Sequence, residues 1–91
     1  MHDAVAPPRD DQGKRFAPPA WVVAAREARG LSQEGLSRRL DLSAQTISKR
    51  ERGVQTTTWE NWLGMLSALN LPKRWEPGDP IPEESKADDG V

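Results

Sequence analysis

Cysteine is absent from the 91-residue chain, so the sequence predicts neither a disulfide framework nor a thiolate metal site. The one histidine, His2, lies near the start of the chain, where a surface position is far more common than a catalytic one. No apolar run approaches the length of a membrane span, and the first residues lack the apolar stretch of a secretory signal. We therefore expect a protein without metal or membrane span, and a chain without cysteine suits a reducing compartment.

The sequence also lacks the usual signatures of catalysis. We find no paired carboxylates, no nucleophile with a neighbouring base, and no glycine-rich loop that would hold a phosphate. We therefore do not expect an enzyme, and we expect no cofactor.

Neither sign of charge is in large excess overall, but the charges are unevenly distributed along the chain. The net charge is −1, yet residues 14–53 sum to +5, whereas the segments 1–13 and 54–91 sum to −2 and −4. The distribution of charge bears more directly on nucleic-acid binding than the total does. An ordinary solvated surface gives a similar pattern, so charge alone does not decide between the two.

Proline divides the chain into three parts. Residues 1–18 and 72–91 are rich in proline and charge, which is typical of poorly ordered segments. We expect a flexible N-terminal arm over 1–18, a folded domain over 19–71, and a proline-rich acidic tail over 72–91. The core of such a domain is small, and four tryptophans help to fill it.

Hydrophobic periodicity predicts helices and no strand. The helices are expected at 19–29, 33–40, 44–51 and 59–69. Ser32 and Ser43 are suitable N-caps for the second and third helices. Thr58 or Thr57 caps the fourth, and Thr57 with Glu60 fits a capping box.

The second and third predicted helices are separated by only three residues, 41–43. Helices joined so tightly cannot lie antiparallel and must cross at a steep angle, as in a helix-turn-helix. Asp41 is the residue expected to turn the chain, because Asp tolerates left-handed backbone geometry better than most residues.

The third predicted helix has two distinct faces, since residues three and four apart share a side. The outer face comprises Ala44, Gln45, Ser48, Lys49 and Arg52. The opposite face carries Ile47, Arg50 and Glu51. A buried carboxylate is costly without a partner, so the sequence predicts a cation elsewhere that meets Glu51.

The segment "REARGLSQEGLSRRLDLSAQTISKRERG", followed by "TTTWENWLGMLSALNL", resembles the helix-turn-helix domain of the lambda repressor and Cro, also called the xenobiotic-response-element family. The resemblance covers about residues 21–71. Its most specific parts are Arg26 before Gly30, "LSQ" at 31–33, Leu36, and the pattern "S–TIS–ERG" over 43–53. It implies a small all-α domain of four to five helices that binds double-stranded DNA through its third helix.

The resemblance also implies roles for individual residues. In the family an Arg of the first helix pairs with a Glu near the end of the recognition helix, which here gives Arg26 and Glu51. The residues expected to contact bases are Ala44, Gln45, Ser48 and Lys49. Those expected to contact phosphates are Gln33, Ser43, Thr46, Arg52 and Gln55.

Several positions depart from the residues usual in the family: Gly35, Ser37, Asp41 and Arg50. Where the family usually has an apolar or aromatic side chain, Arg50 is expected to pack its stem against Trp59 or Trp62, with a cation–π contact as one form of that packing, or else to reach a phosphate. Trp75 is expected either to cover the edge of the core or to lie in a subunit interface. Lys14 and Arg15 form either a minor-groove arm or a linker.

The resemblance leads to one expected function and one alternative. We expect a transcriptional regulator, acting as a repressor on a near-palindromic operator as a homodimer, and located in the cytoplasm on bacterial or phage DNA. The alternative is an antitoxin or adaptor of the same fold, in which the tail from Trp75 to Asp89 binds a partner protein.

Overall fold

The computed structural model describes residues 9 and 12–82 and has four helices. The helices are α1 (Pro19–Ala28), α2 (Gln33–Leu40), α3 (Ala44–Glu51) and α4 (Trp59–Ala68), and two short strands are β1 (Phe16–Ala17) and β2 (Thr57–Thr58). The predicted helical fold class is confirmed, and each helix begins at the predicted residue. Most of the expected arm, and residues 83–91 of the expected tail, lie outside the described residues.

Side-chain caps explain why three of the helices begin where they do. The hydroxyls of Ser32, Ser43 and Thr58 each accept a hydrogen bond from the backbone N–H three residues later, at 3.0–3.1 Å. These caps satisfy donors that the first turn leaves without an intrahelical partner. The expected capping box of Thr57 with Glu60 is wrong, because Thr58 is the N-cap and its hydroxyl accepts from the N–H of Asn61.

Asp41 makes the turn between α2 and α3, as expected. Its φ and ψ of 57° and 43° lie in the left-handed region, and the N–H of Leu42 then donates to the carbonyl of Ser37 at 2.9 Å. Ser37 is itself buried, and its hydroxyl donates to the carbonyl of Glu34 at 2.7 Å. That bond satisfies the hydroxyl, which explains how a serine is buried at this position.

The expectation that no strand would form is wrong. β1 pairs with β2 in antiparallel register, Phe16 opposite Thr58 and Ala17 opposite Thr57. Ala17 is only 2% exposed, so the folded part of the chain begins before residue 19. Two-residue strands are too short to show the alternation by which strands are predicted.

The core lies between α4 and the other three helices, and it extends past the end of α4. Trp62, Leu66 and Leu69 are fully buried in it. Trp75 is 3% exposed, and its ring centroid lies 6.3 Å from that of Trp62. Of the two expectations for Trp75, covering the core is therefore the one that the structure shows.

Arg29, at the C-terminal end of α1, holds the chain beyond α4 in place. Its Nε donates to the carbonyl of Leu69 at 2.7 Å, and its Nη2 donates to that of Asn70 at 2.9 Å. Its Nη1 donates to the carbonyl of Pro82 at 2.6 Å. One guanidinium thus satisfies carbonyls that follow the last turn of α4 and ties residues 70–82 back to α1.

Within residues 9 and 12–82, no helix is long and apolar enough to cross a membrane. The same residues contain no cluster of three or more histidine, cysteine or acidic side chains that would hold a metal ion.

Candidate nucleic-acid interface

The two faces of α3 differ in burial as the sequence predicts. Ile47 is fully buried and Arg50 is 8% exposed on the inner side, whereas Gln45, Lys49 and Arg52 are exposed on the outer side. In the part of the chain that the structure describes, the side chains of Gln45 and Lys49 make no hydrogen bond or ion pair. Both are therefore available to an external partner.

The buried ion pair that the sequence predicts is present and joins α1 to α3. Arg26 Nε donates to Glu51 Oε2 at 2.6 Å, and Arg26 Nη2 donates to Glu51 Oε1 at 3.1 Å. The Arg26 side chain is 16% exposed and that of Glu51 is 6% exposed. The hydrogen bond that Arg26 donates to Glu51 raises the pKa of Arg26 above its ordinary value, and burial opposes that rise. The pair fixes the rotation of α3 about its own axis.

Gln33 is the third member of this network. Its Nε2 donates to Glu51 Oε1 at 3.0 Å, so the side chain points from the first turn of α2 towards the end of α3. An amide nitrogen carries two hydrogens, and one of them remains for another acceptor. Glu51 therefore orients Gln33 without using all of its donor capacity.

The N-terminus of α3 is closed by two hydroxyls. Ser43 Oγ lies 3.0 Å from Thr46 Oγ1 and also accepts the backbone N–H of Thr46. Ala44, between them, is partly exposed. The capping hydrogen bond thus holds the Ser43 side chain in one position, with its hydroxyl at the exposed N-terminus of α3.

The C-terminal end of α3 and the loop after it complete the candidate interface. Arg52 Nε donates to Ser48 Oγ at 3.2 Å, which holds the arginine along the outer face. The backbone N–H of Gln55 donates to the carbonyl of Lys49 at 3.2 Å, and its side chain is exposed. Gly53 has a φ of +79°, which lets the chain turn sharply enough for that bond.

Among the described residues, Arg50 makes no cation–π contact with Trp59 or Trp62. Among residues 9 and 12–82, the cation above the Trp59 ring is Arg15, whose Cζ lies 5.6 Å from the ring centroid. Arg50 instead lines a concave surface between α2 and α4, and burial lowers its pKa. The contact of Arg15 with Trp59 was not predicted, because Arg15 lies in the segment expected to be a flexible arm.

Two short helices joined by a three-residue turn, the second with an exposed polar face, define a helix-turn-helix domain. The model of the helix-turn-helix family matches residues 22–75. The chain therefore belongs to the Cro/C1-type helix-turn-helix family, which includes the domains of the lambda repressor and Cro. No curated protein and no solved structure matches the chain significantly.

Membership of this family defines the general class of activity. Its members are DNA-binding transcription regulators, and the family is not one of enzymes. Double-stranded DNA is accordingly the partner that the family match supports.

Proposed function

We propose that the protein is a sequence-specific repressor that binds a near-palindromic operator as a homodimer, with α3 in the major groove. The observation that carries this proposal is the outer face of α3. There Gln45 and Lys49 are exposed, while the Arg26–Glu51 pair holds the inner face of the same helix. A helix whose rotation is fixed presents the same side chains to each site, which sequence reading requires.

The side chains on the outer face suit contacts with base edges. Gln45 is able to bond adenine through its N6 and N7 positions, and Lys49 is able to reach O6 and N7 of guanine. Ala44 offers a methyl group for thymine, and Ser48 lies beside them with a small hydroxyl. Each well-formed bidentate contact discriminates between bases by about 1–3 kcal/mol.

A second group of residues is proposed to position the domain on the phosphates. It comprises Gln33, Ser43, Thr46, Arg52 and Gln55. The free N–H of the Gln33 amide is able to donate to a phosphate while the other stays on Glu51. Such contacts set the register of the protein on the duplex and carry no base preference.

Dimerisation follows from the size of the interface. A single module of this kind buries about 600–1,000 Å² on DNA, which limits its affinity. Two copies reading half-sites about 34 Å apart double the contacts. Occupation of a promoter by such a dimer would block transcription, and we therefore propose that the protein acts as a repressor. Its proposed place of action is bacterial DNA in the cytoplasm, or phage DNA.

The experiment that tests this proposal compares Lys49→Ala with Lys73→Ala, which removes the same charge from an exposed position after α4. Affinities are measured for a panel of operator variants with single base changes. We expect Lys49→Ala to flatten the preference at one base pair of each half-site. Gln33→Ala is expected to weaken all variants about equally, because it removes a phosphate contact. An unchanged order of affinities for Lys49→Ala would contradict the proposed role of α3.

The alternative function is that of an antitoxin or adaptor that binds a protein through its tail, and it would need Trp75 to be exposed. Trp75 is buried against Trp62 and is not available to a partner. The remaining acidic residues of that tail lie outside the described residues. Deletion after Pro82 separates the two functions, because the DNA-binding domain should keep its operator affinity whereas a tail-dependent adaptor should lose its partner.

A further inference from the structure

Ile81 is an exposed apolar side chain outside the candidate nucleic-acid interface. Among the described residues, the exposed large apolar side chains are Leu42, Val54 and Ile81, and Ile81 is 46% exposed. Leu42 and Val54 lie on either side of α3 in the sequence, whereas Ile81 belongs to the segment that follows α4. A single exposed apolar side chain is ordinary, so the surroundings of Ile81 decide whether it marks an interaction surface.

A groove of about 410 Å³ lies beside Ile81. We call it the Ile81 groove, and it is lined by Pro72, Arg74, Trp75, Asp79, Pro80, Ile81 and Pro82. The three prolines are exposed together with Ile81, whereas Trp75 is 3% exposed and belongs to the core. Several adjacent exposed apolar side chains are typical of a surface that binds another protein. No residue of α2 or α3 lines the groove, so it is separate from the outer face of α3.

Hydrogen bonds within the chain hold the groove in shape. Arg29 Nη1 donates to the carbonyl of Pro82 at 2.6 Å, which fixes one end of the segment against α1. The backbone N–H of Glu76 donates to Asp79 Oδ2 at 2.9 Å, and the N–H of Asp79 donates to the carbonyl of Glu76 at 2.9 Å. A surface that is already ordered loses less conformational entropy when it binds.

The groove carries one charge of each sign, and the two do not pair with each other. Arg74 is exposed, and in the part of the chain that the structure describes its side chain makes no hydrogen bond or ion pair. Asp79 uses one carboxylate oxygen for the N–H of Glu76, and its other oxygen is able to accept a further bond. The lining is therefore neutral overall, and it offers an available cation and an available carboxylate.

The neutral lining argues against a polyanion as the occupant of the groove. DNA is one polyanion, and residues 83–91, with four acidic residues and one basic residue, are another. A complementary occupant instead has a carboxylate that meets Arg74 and a cation that meets Asp79. A second copy of this chain, related by a two-fold axis, supplies both, because each contact in such an interface occurs twice.

We propose that the Ile81 groove binds a second copy of this chain, in a two-fold pair in which Arg74 of each copy meets Asp79 of the other and the Ile81 side chains pack together. This inference rests on the homodimer of the proposed function and names its interface. The groove has seven lining residues, compared with about 20–30 on each side of a standard interface. The free dimer is therefore weak, and two adjacent half-sites on DNA would favour it by raising the effective concentration.

The test is sedimentation equilibrium of the full chain without DNA, at concentrations up to about 1 mM, so that a dissociation constant as weak as that is measurable. We expect a monomer–dimer equilibrium for the wild type. Arg74→Glu should weaken dimerisation by at least about tenfold, because both ion pairs become like-charge contacts. Lys73→Glu is the matched control, since it makes the same change of charge at the neighbouring exposed position, which does not line the groove. It should dimerise like the wild type.

Mixing two variants shows whether the contact joins two chains. Asp79→Arg alone should also weaken dimerisation, because it places two arginines against each other in both contacts. An equimolar mixture of Arg74→Glu and Asp79→Arg should recover the dimer, since opposite charges then meet in both contacts. Ile81→Asp places a charge among the apolar side chains and should weaken dimerisation by at least about tenfold. This last variant decides the proposal in the event that Asp79→Arg disturbs the turn at Glu76.

Each outcome decides the proposal. Weaker dimerisation of Arg74→Glu and Ile81→Asp, with normal dimerisation of Lys73→Glu, would support it. A wild type that stays monomeric up to about 1 mM, or equal dimerisation of all the variants, would overturn it. Loss of the dimer on deletion of residues 83–91 would also overturn it, because that segment would then form the contact.

Failure of this inference is distinguishable from failure of the proposed function. No DNA is present in the measurement, so the result does not depend on whether α3 reads sequence. A dimer that the groove variants leave unchanged would overturn the interface and leave the proposed homodimer standing.

Discussion

Replacement of Arg26 by methionine tests the network that orients α3. The substitution keeps an apolar stem of similar length and removes the guanidinium that donates twice to Glu51, at 2.6 and 3.1 Å. Glu51, with its side chain 6% exposed, would keep only the bond from Gln33. Its carboxylate would then be a buried charge with one neutral donor.

The expected loss of stability in Arg26→Met follows from the burial of the Glu51 carboxylate. Breaking a buried ion pair by removing one partner costs about 3–5 kcal/mol, much of which is the penalty of the charge left behind. Domains of this size are marginally stable, so such a loss should unfold a large fraction of the protein at room temperature. Replacing Glu51 by leucine in the Arg26→Met background removes the orphaned charge and should recover most of the stability.

The assay is equilibrium unfolding in urea followed by tryptophan fluorescence, since Trp21, Trp62 and Trp75 pack together in the core. The free energies of the wild type, both single variants and the double variant form a double-mutant cycle. A loss below about 1 kcal/mol in Arg26→Met, or additive losses in the double variant, would refute the buried ion pair.

Three further predictions test other parts of the fold by the same urea unfolding. Arg50→Met should raise stability by about 1–3 kcal/mol, because it removes a buried donor without a partner; a loss would show that the guanidinium is satisfied. Trp75→Ala should cost about 3–5 kcal/mol, while Ile81→Ala, at a position 46% exposed, should cost far less; equal effects would place Trp75 outside the core. Gly64→Ala should raise the free energy of unfolding by about 0.5–1 kcal/mol, because the helix has room for a methyl group there. Gly30→Ala should lower it, because Gly30 has a φ of +66°. The reverse order of stabilities would contradict the backbone geometry.

The helices were predictable because their boundaries are encoded locally. Ser32 and Ser43 satisfy the N–H three residues on, and Asp41 makes the left-handed turn, so each signal lies within a few residues of the feature that it marks. The Arg26–Glu51 pair was predictable for a different reason. Periodicity placed Glu51 on the inner face of α3, and the family resemblance supplied its partner.

The features that sequence reasoning missed depend on contacts between distant segments. The pairing of Phe16 with Thr58 joins residues on either side of three helices, and no local pattern marks it. Trp75 lies three residues after Pro72 and looks like part of a tail, yet it packs on Trp62 because Arg29 holds the intervening chain against α1. Such contacts become visible only once the helices are assembled.

The environment of Arg50 could not be read from the sequence for a related reason. Its position on the inner face of α3 was evident, but its neighbours are set by how α2 and α4 approach that face. The sequence therefore left open a tryptophan or a phosphate as its partner, and among the described residues Arg50 makes no cation–π contact with a tryptophan.

Selection of bound duplexes from a random DNA pool at physiological salt tests most directly whether the outer face of α3 reads sequence. The account predicts enrichment of one motif with two-fold symmetry, its half-sites about 34 Å apart, and loss of its most specific base pair in Lys49→Ala. Recovery of duplexes without any shared motif would contradict it.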